Sequence, residues 1–189
     1  MILEIIQYGH PTLRKKAANL SAEEIKEPKL AQLVDNMLET MEHAQGIGLA
    51  APQINEPLQL AVIDLGGKDE SNTLLELDGK SVQLADIMPL IFINPELKLY
   101  PKAKDKMQEG CLSIQGIQAV VNRPTLIEMT YLDLNGQEHS LKCDGLLGRA
   151  IQHECDHLEG ILFTDRVGSL HKPKVKKQLE ALLKPKSFF

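Results

Sequence analysis

Residues 153–157 read His-Glu-Cys-Asp-His, two imidazoles four positions apart with a carboxylate beside the first. On a helix, positions i and i+4 share a face, with Cβ atoms about 5–6 Å apart. Both rings can then grip one metal ion while Glu154 serves as a base. Two histidines do not complete a catalytic metal site, which usually has three protein ligands and one open position. The pentapeptide therefore demands a third ligand from elsewhere.

One extended pattern, H-E-x-x-H-x-x-G-x-x-H, supplies that ligand from the same segment. The chain matches through Gly160 and then places Phe163 where the third histidine would stand. Downstream glutamates are poor substitutes. Glu159 falls two residues past His157, off the ligand face of a continuing helix, and Glu180 lies in a separate lysine-rich segment. Upstream, Cys111 sits in Glu-Gly-Cys-Leu-Ser-Ile, a turn between strand-like runs. A thiolate binds zinc or ferrous iron strongly. Cys143 and Cys155 read instead as small buried hydrophobes, and Cys155, two positions from each histidine, points away from their face.

Several elements must position these groups. Asp144 to Gly160 reads as a helix that is apolar nearly all round, with Asp144 as its cap and Gly160 as a left-handed stop. A helix of that kind is buried, so its histidines and glutamate need partners. Residues 28–46 carry apolar side chains at helical spacing, with Pro28 in the first turn and Gly46 as the stop. Strands are expected over 58–65, 90–100, 117–122 and 126–143, the last with Asn135-Gly136 as a hairpin turn. The polar stretch 66–83 reads as an exposed excursion. The fold class is α+β: antiparallel strands packed around a buried central helix carrying the H-E-x-x-H pattern, with an N-terminal and a C-terminal helix. The sequence has 189 residues, 43% hydrophobic and 25% charged, which suits one globular domain. A net charge of −5 gives no overall basic field for DNA, and no run approaches a membrane span. Three cysteines are too few for a disulfide framework and point to a reducing, cytoplasmic setting, an organelle being the other option.

Three segments together resemble the signature motifs of the peptide deformylases: Gly46–Gln53 (GIGLAAPQ), Glu109–Ser113 (EGCLS) and His153–His157 (HECDH), in the family's order. HPTLR at 10–14 and INPE at 93–96 match as well, and the similarity covers roughly residues 1–170. Residues 1–170 accordingly read as the catalytic domain and 171–189 as its basic helical tail.

The resemblance implies hydrolysis of the formyl group from N-formylmethionyl nascent peptides, with release of formate. By carry-over, Cys111, His153 and His157 hold one divalent ion per chain, Fe2+ in cells, with Zn2+ or Ni2+ able to substitute. A metal lowers the pKa of a bound water to about 7. Glu154 moves the proton from water to the leaving amine. The Gln53 amide and the Leu112 N–H are the donors for the developing oxyanion. Ile47, Gly48 and Gly110 bind the substrate backbone, while Leu146 and Ala150, on the face of His153, line a pocket for the methionine. Arg149 packs its stem there with its guanidinium reaching water or an acid. Glu109 and Arg123 match positions that the family pairs. Gln118 stands where arginine is frequent, which concerns fine substrate preference. The lysine-rich tail implies docking on the ribosome near the exit tunnel. Two competing readings are a zinc metallopeptidase, disfavoured by Phe163, and a non-catalytic metal-stabilised binder of formylated peptides.

Overall fold

A computed structural model describes residues 1–66 and 72–184. Seven antiparallel strands form one sheet in the order β1 (Gly48–Ala50), β2 (Leu60–Ile63), β5 (Leu90–Cys111), β6 (Ile114–Leu132), β7 (Glu138–Cys143), β3 (Leu75–Leu77) and β4 (Lys80–Ser81). Five α-helices accompany it among the described residues: α1 (Ala22–Ile25), α2 (Pro28–His43), α3 (Leu84–Ile87), α4 (Gly145–Leu158) and α5 (Lys172–Leu182).

Helix α2 starts on Pro28 as expected, but its stop differs. Gln45, not Gly46, takes the left-handed conformation (φ 57°). The Gln45 and Gly46 N–H groups then close onto the carbonyls of Glu42 and Met41, capping two orphan acceptors. Gly46 has a different reason to lack a side chain: a Cβ there would sit 2.8 Å from Leu112 Cδ1.

Strands β5 and β6 form one long ribbon, in which β5 runs well past the expected 90–100 and β6 joins the expected 117–122 to the first part of 126–143. Register runs from Ile93↔Leu132 to Cys111↔Ile114, with shifts near Tyr100 and Lys104. The extension was hidden because residues 101–108 are all exposed and mostly polar, so no apolar alternation marks them. Along β6, Ile117, Ala119, Val121 and Arg123 are buried while Gln118, Val120 and Asn122 are exposed, the period of a pleated strand. One cation therefore faces inward.

The 66–83 excursion is partly sheet. Leu75–Leu77 pairs with β7, Leu75 is buried, and Lys80–Ser81 closes the edge; positions 67–71 lie outside the described residues. No local pattern announces these strands, because β7 supplies their partner. At Asn135-Gly136 the hairpin forms as read, through a turn in which Gly136 (φ 76°) donates its N–H to the Asp133 carbonyl.

In α4 every residue except Gly145, Leu146 and His153 is buried. Its apolar side, including Leu147, Ile151 and Leu158, packs into a cluster with Phe92, Ile127, Met129 and Leu141 of the sheet. Gly160 ends the segment with φ 71°, as expected. Asp144 does not cap α4 with its side chain. Its carboxylate accepts instead from the Thr73 and Leu74 N–H groups and the Thr73 hydroxyl, tying the excursion to the helix start. A second cluster joins α2 to β1 and β2, and a third joins Val175 and Leu179 of α5 to Leu13, Val121 and Phe163.

Candidate metal centre

Cys111 arrives at the end of β5, and His153 and His157 come from one face of α4. Their ligand atoms lie within 4.8 Å of one another. Cys111 Sγ is 3.2 Å from His157 Nε2, and the two imidazoles meet edge to face with centroids 5.0 Å apart. A thiol and two imidazoles, brought together by a helix and a strand end, are a donor set suited to zinc or ferrous iron. Phe163 does not enter this set. It is buried and stacks on the His153 ring, centroids 6.1 Å apart.

Glu154 lies beside this cluster, buried, with Oε2 lacking any hydrogen-bond partner among the described residues. Burial pushes its pKa up to about 7. Gly48 leaves the space the carboxylate occupies, since a Cβ there would overlap Glu154 Oε1. For His157, burial and then the neighbouring His153 lower the pKa well below the usual value, which keeps the ring neutral as a ligand must be. Burial also opposes charge on His153, but Cys111 and Glu109 together raise its pKa to about 10.

Gln53 closes the other side. Its Oε1 accepts the Ala50 N–H at 2.9 Å, which fixes the amide so that Nε2 faces Cys111 Sγ (3.4 Å) and Ser113 Oγ (3.3 Å). The N-terminal segment braces both loops, with the Ile6 N–H on the Gln53 carbonyl and the Tyr8 N–H on the Ser113 carbonyl.

A cavity of about 590 Å³ opens onto these groups. Of the residues given a catalytic, metal or substrate role from the sequence, all but His157 line it: Ile47, Gly48, Gln53, Gly110, Cys111, Leu112, Leu146, Arg149, Ala150, His153 and Glu154. Of the two partners expected for the Arg149 guanidinium, water or an acid, it finds the acid: it is largely buried against Glu109 and the carbonyls of Val121 and Asp105.

Glu109 itself accepts from Arg123 at 2.7 and 3.0 Å and lies 3.2 Å from His153 Nδ1. Burial alone would raise its pKa, but His153 and Arg123 hold it far below the ordinary carboxylate range. Arg123 also reaches Asp156, which Arg166 bonds from outside. Sequence reading missed Asp156 and Arg166. The available signals were an acid on a buried helix and an arginine at an inward strand position, each of which requires a counter-charge.

Comparison with known proteins decides the family. Residues 2–173 match the polypeptide deformylase family. A peptide deformylase of Opitutus terrae is 43% identical over 187 residues, covering 97% of this chain and 94% of that protein. The chain belongs to the peptide deformylase family. One solved relative is the Synechococcus elongatus peptide deformylase in complex with actinonin, 38% identical with a TM-score of 0.75, covering 99% of this chain and 87% of that one. Another, a class I type b deformylase of Acinetobacter baumannii with Met-Ala-Ser bound, is 28% identical with a TM-score of 0.76, covering 88% and 99%. As a peptide deformylase, the protein is a metal-dependent hydrolase that removes the N-formyl group from nascent peptides.

Proposed function

We propose that Cys111, His153 and His157 hold one divalent ion, Fe2+ in cells with Zn2+ or Ni2+ as substitutes, and that Glu154 carries the proton in deformylation. The observation that carries this reading is the buried Glu154 carboxylate, one oxygen unpartnered, next to a cluster of three ligand atoms. When bound, the ion supplies Lewis-acid chemistry, polarising the formyl oxygen and acidifying water. Glu154 takes a proton from water and passes it to the leaving amine, a transfer that favours a group titrating near neutrality. The Gln53 amide, locked by Ala50, and the Leu112 N–H receive the negative charge that develops on the formyl oxygen.

Ile47, Gly48 and Gly110 bind the substrate backbone, and Leu146 and Ala150 receive the methionine side chain, with the Arg149 stem beside them. The Met-Ala-Ser-bound relative supports this use of the cavity. A closed structural site would use four protein ligands and need no adjacent base, which argues against a non-catalytic binder. Residues 1–170 form the catalytic domain, and the exposed lysines of 171–184 meet ribosomal RNA near the exit tunnel in the cytoplasm.

The test is formate release from formyl-Met-Ala-Ser by anaerobically purified protein, with metal measured on the same sample. Turnover in proportion to bound metal supports the reading. Metal-loaded protein that releases no formate overturns it.

A further inference from the structure

Arg149 stands one helical turn before His153, so the two side chains leave α4 on the same face. Both end on Glu109: His153 Nδ1 is 3.2 Å from Oε2, and Arg149 Nη1 donates to Oε1 at 2.7 Å. Glu109 lies two residues before Cys111 on β5. A single carboxylate thus joins the helix that carries two of the ligands to the strand that carries the third. Arg149 also spans the ribbon, donating to the Val121 carbonyl on β6 at 3.2 Å and, through Nη2, to the Asp105 carbonyl on β5 at 2.8 Å. The residue is buried, and it also lines the substrate cavity.

We propose that Arg149 is a positioning residue for the metal centre: its fork, anchored on Glu109, Val121 and Asp105, sets how the Cys111 end of β5 meets His153 on α4. This rests on the three-ligand reading above and deepens it. Arg123 does part of this work: it grips Glu109 with two bonds from β6, and its third nitrogen bonds Asp156, between the two histidines on α4. It does not reach the turn of α4 that precedes His153 or the Asp105 carbonyl on β5, which Arg149 holds. Removing Arg149 leaves Glu109 charged and paired with Arg123 but takes away the Asp105 and Val121 anchors, so the Cys111 end of β5 loses one of its two ties to α4. Groups that orient a ligand from behind ordinarily change metal affinity by about 10–100-fold. The Arg149 arrangement also ties the ribbon's substrate-facing edge to the ligand set, so both respond to one side chain.

The experiment uses Co2+ as the probe on full-length wild-type, Arg149→Met and Arg149→Lys proteins, each checked for native circular dichroism. The dissociation constant from chelator competition and the thiolate-to-cobalt absorption band are read, neither of which depends on turnover. In Arg149→Met the constant should rise about 10–100-fold and the band should shift. Arg149→Lys, with a compact ammonium in place of the fork, should fall between the two. If the methionine variant does not fold, the lysine variant decides by the same criteria. A wild-type band and constant retained in the folded variants overturn the role of Arg149 alone. A wild-type protein with no thiolate–cobalt band overturns the three-ligand reading and this inference with it.

Discussion

Changing Glu154 to Gln keeps the size of the side chain and removes the carboxylate proposed to move the proton. Metal should stay bound, because Cys111, His153 and His157 are untouched, and the rate should fall by roughly 10²–10⁴. Cys111→Ala should lose the metal instead, leaving two imidazoles. Metal analysis and formate release on both proteins check this; a glutamine variant that loses metal while the alanine variant keeps it would exchange the two roles. Gly48→Ala tests the geometry around the same carboxylate. The added Cβ overlaps Glu154 Oε1, so Glu154 must move. A displacement of about 1 Å at a reacting group can cost about 10²-fold. The variant should therefore lose activity at unchanged metal content, measured as kcat on metal-loaded protein.

Among the connecting elements, two glycines with nearly equal φ separate local strain from packing. Gly136 (φ 76°) has open space around a built Cβ, so Gly136→Ala should cost only the left-handed penalty, about 1–2 kcal/mol. Gly160 (φ 71°) would press its Cβ against the Arg14 carbonyl at 2.8 Å, so Gly160→Ala should cost clearly more. Urea unfolding of both variants compares them. A third turn-level contact gives a pH signature. His139 on β7 lies 2.9 Å from Asp78 in the β3–β4 turn and 3.5 Å from Asp133 in the β6–β7 turn. The hydrogen bond to Asp78 raises its pKa above the usual 6.5, against a smaller effect of burial. Because the folded value is raised, the stabilisation is complete below pH 6.5 and is lost as pH rises through the folded value. The stability difference between wild type and His139→Gln should therefore shrink between pH 6 and pH 8, measured by denaturant titration at each pH.

At the scale of the whole molecule, α5 is both surface and core. Val175 and Leu179 are buried with Leu13, Ile114, Val121 and Phe163, and half-buried Cys111 packs on that cluster. Leu179→Ala should destabilise the protein by about 2 kcal/mol or more. Lys176→Ala, on the exposed face, should stay within about 0.5 kcal/mol. Ending the chain after Gly168 should lower the melting temperature and, through the shared cluster, weaken metal retention. A truncated protein with unchanged melting temperature and metal content would show that α5 serves only its outer surface.

Much of the chemistry was legible in the sequence because it is written in local spacing. His153 and His157 share a face by helical geometry alone, and the apolar surround of α4 announced its burial. Cys111 was a candidate by residue type and joined the proposed ligand set through resemblance of the EGCLS segment, since no periodicity links positions so far apart in the chain. Tertiary structure alone decided where charged groups find their partners. Asp144 serves Thr73 and Leu74 in place of its own helix, Gln45 takes the left-handed position beside a glycine needed for Leu112, and the guanidinium of Arg149 turns inward to Glu109. The exposed half of the β5–β6 ribbon and the short β3–β4 pair were invisible for the same reason. Hydrophobic periodicity reports which side of an element is dry, whereas ion pairs, edge strands and close approaches depend on which distant segment the fold brings opposite.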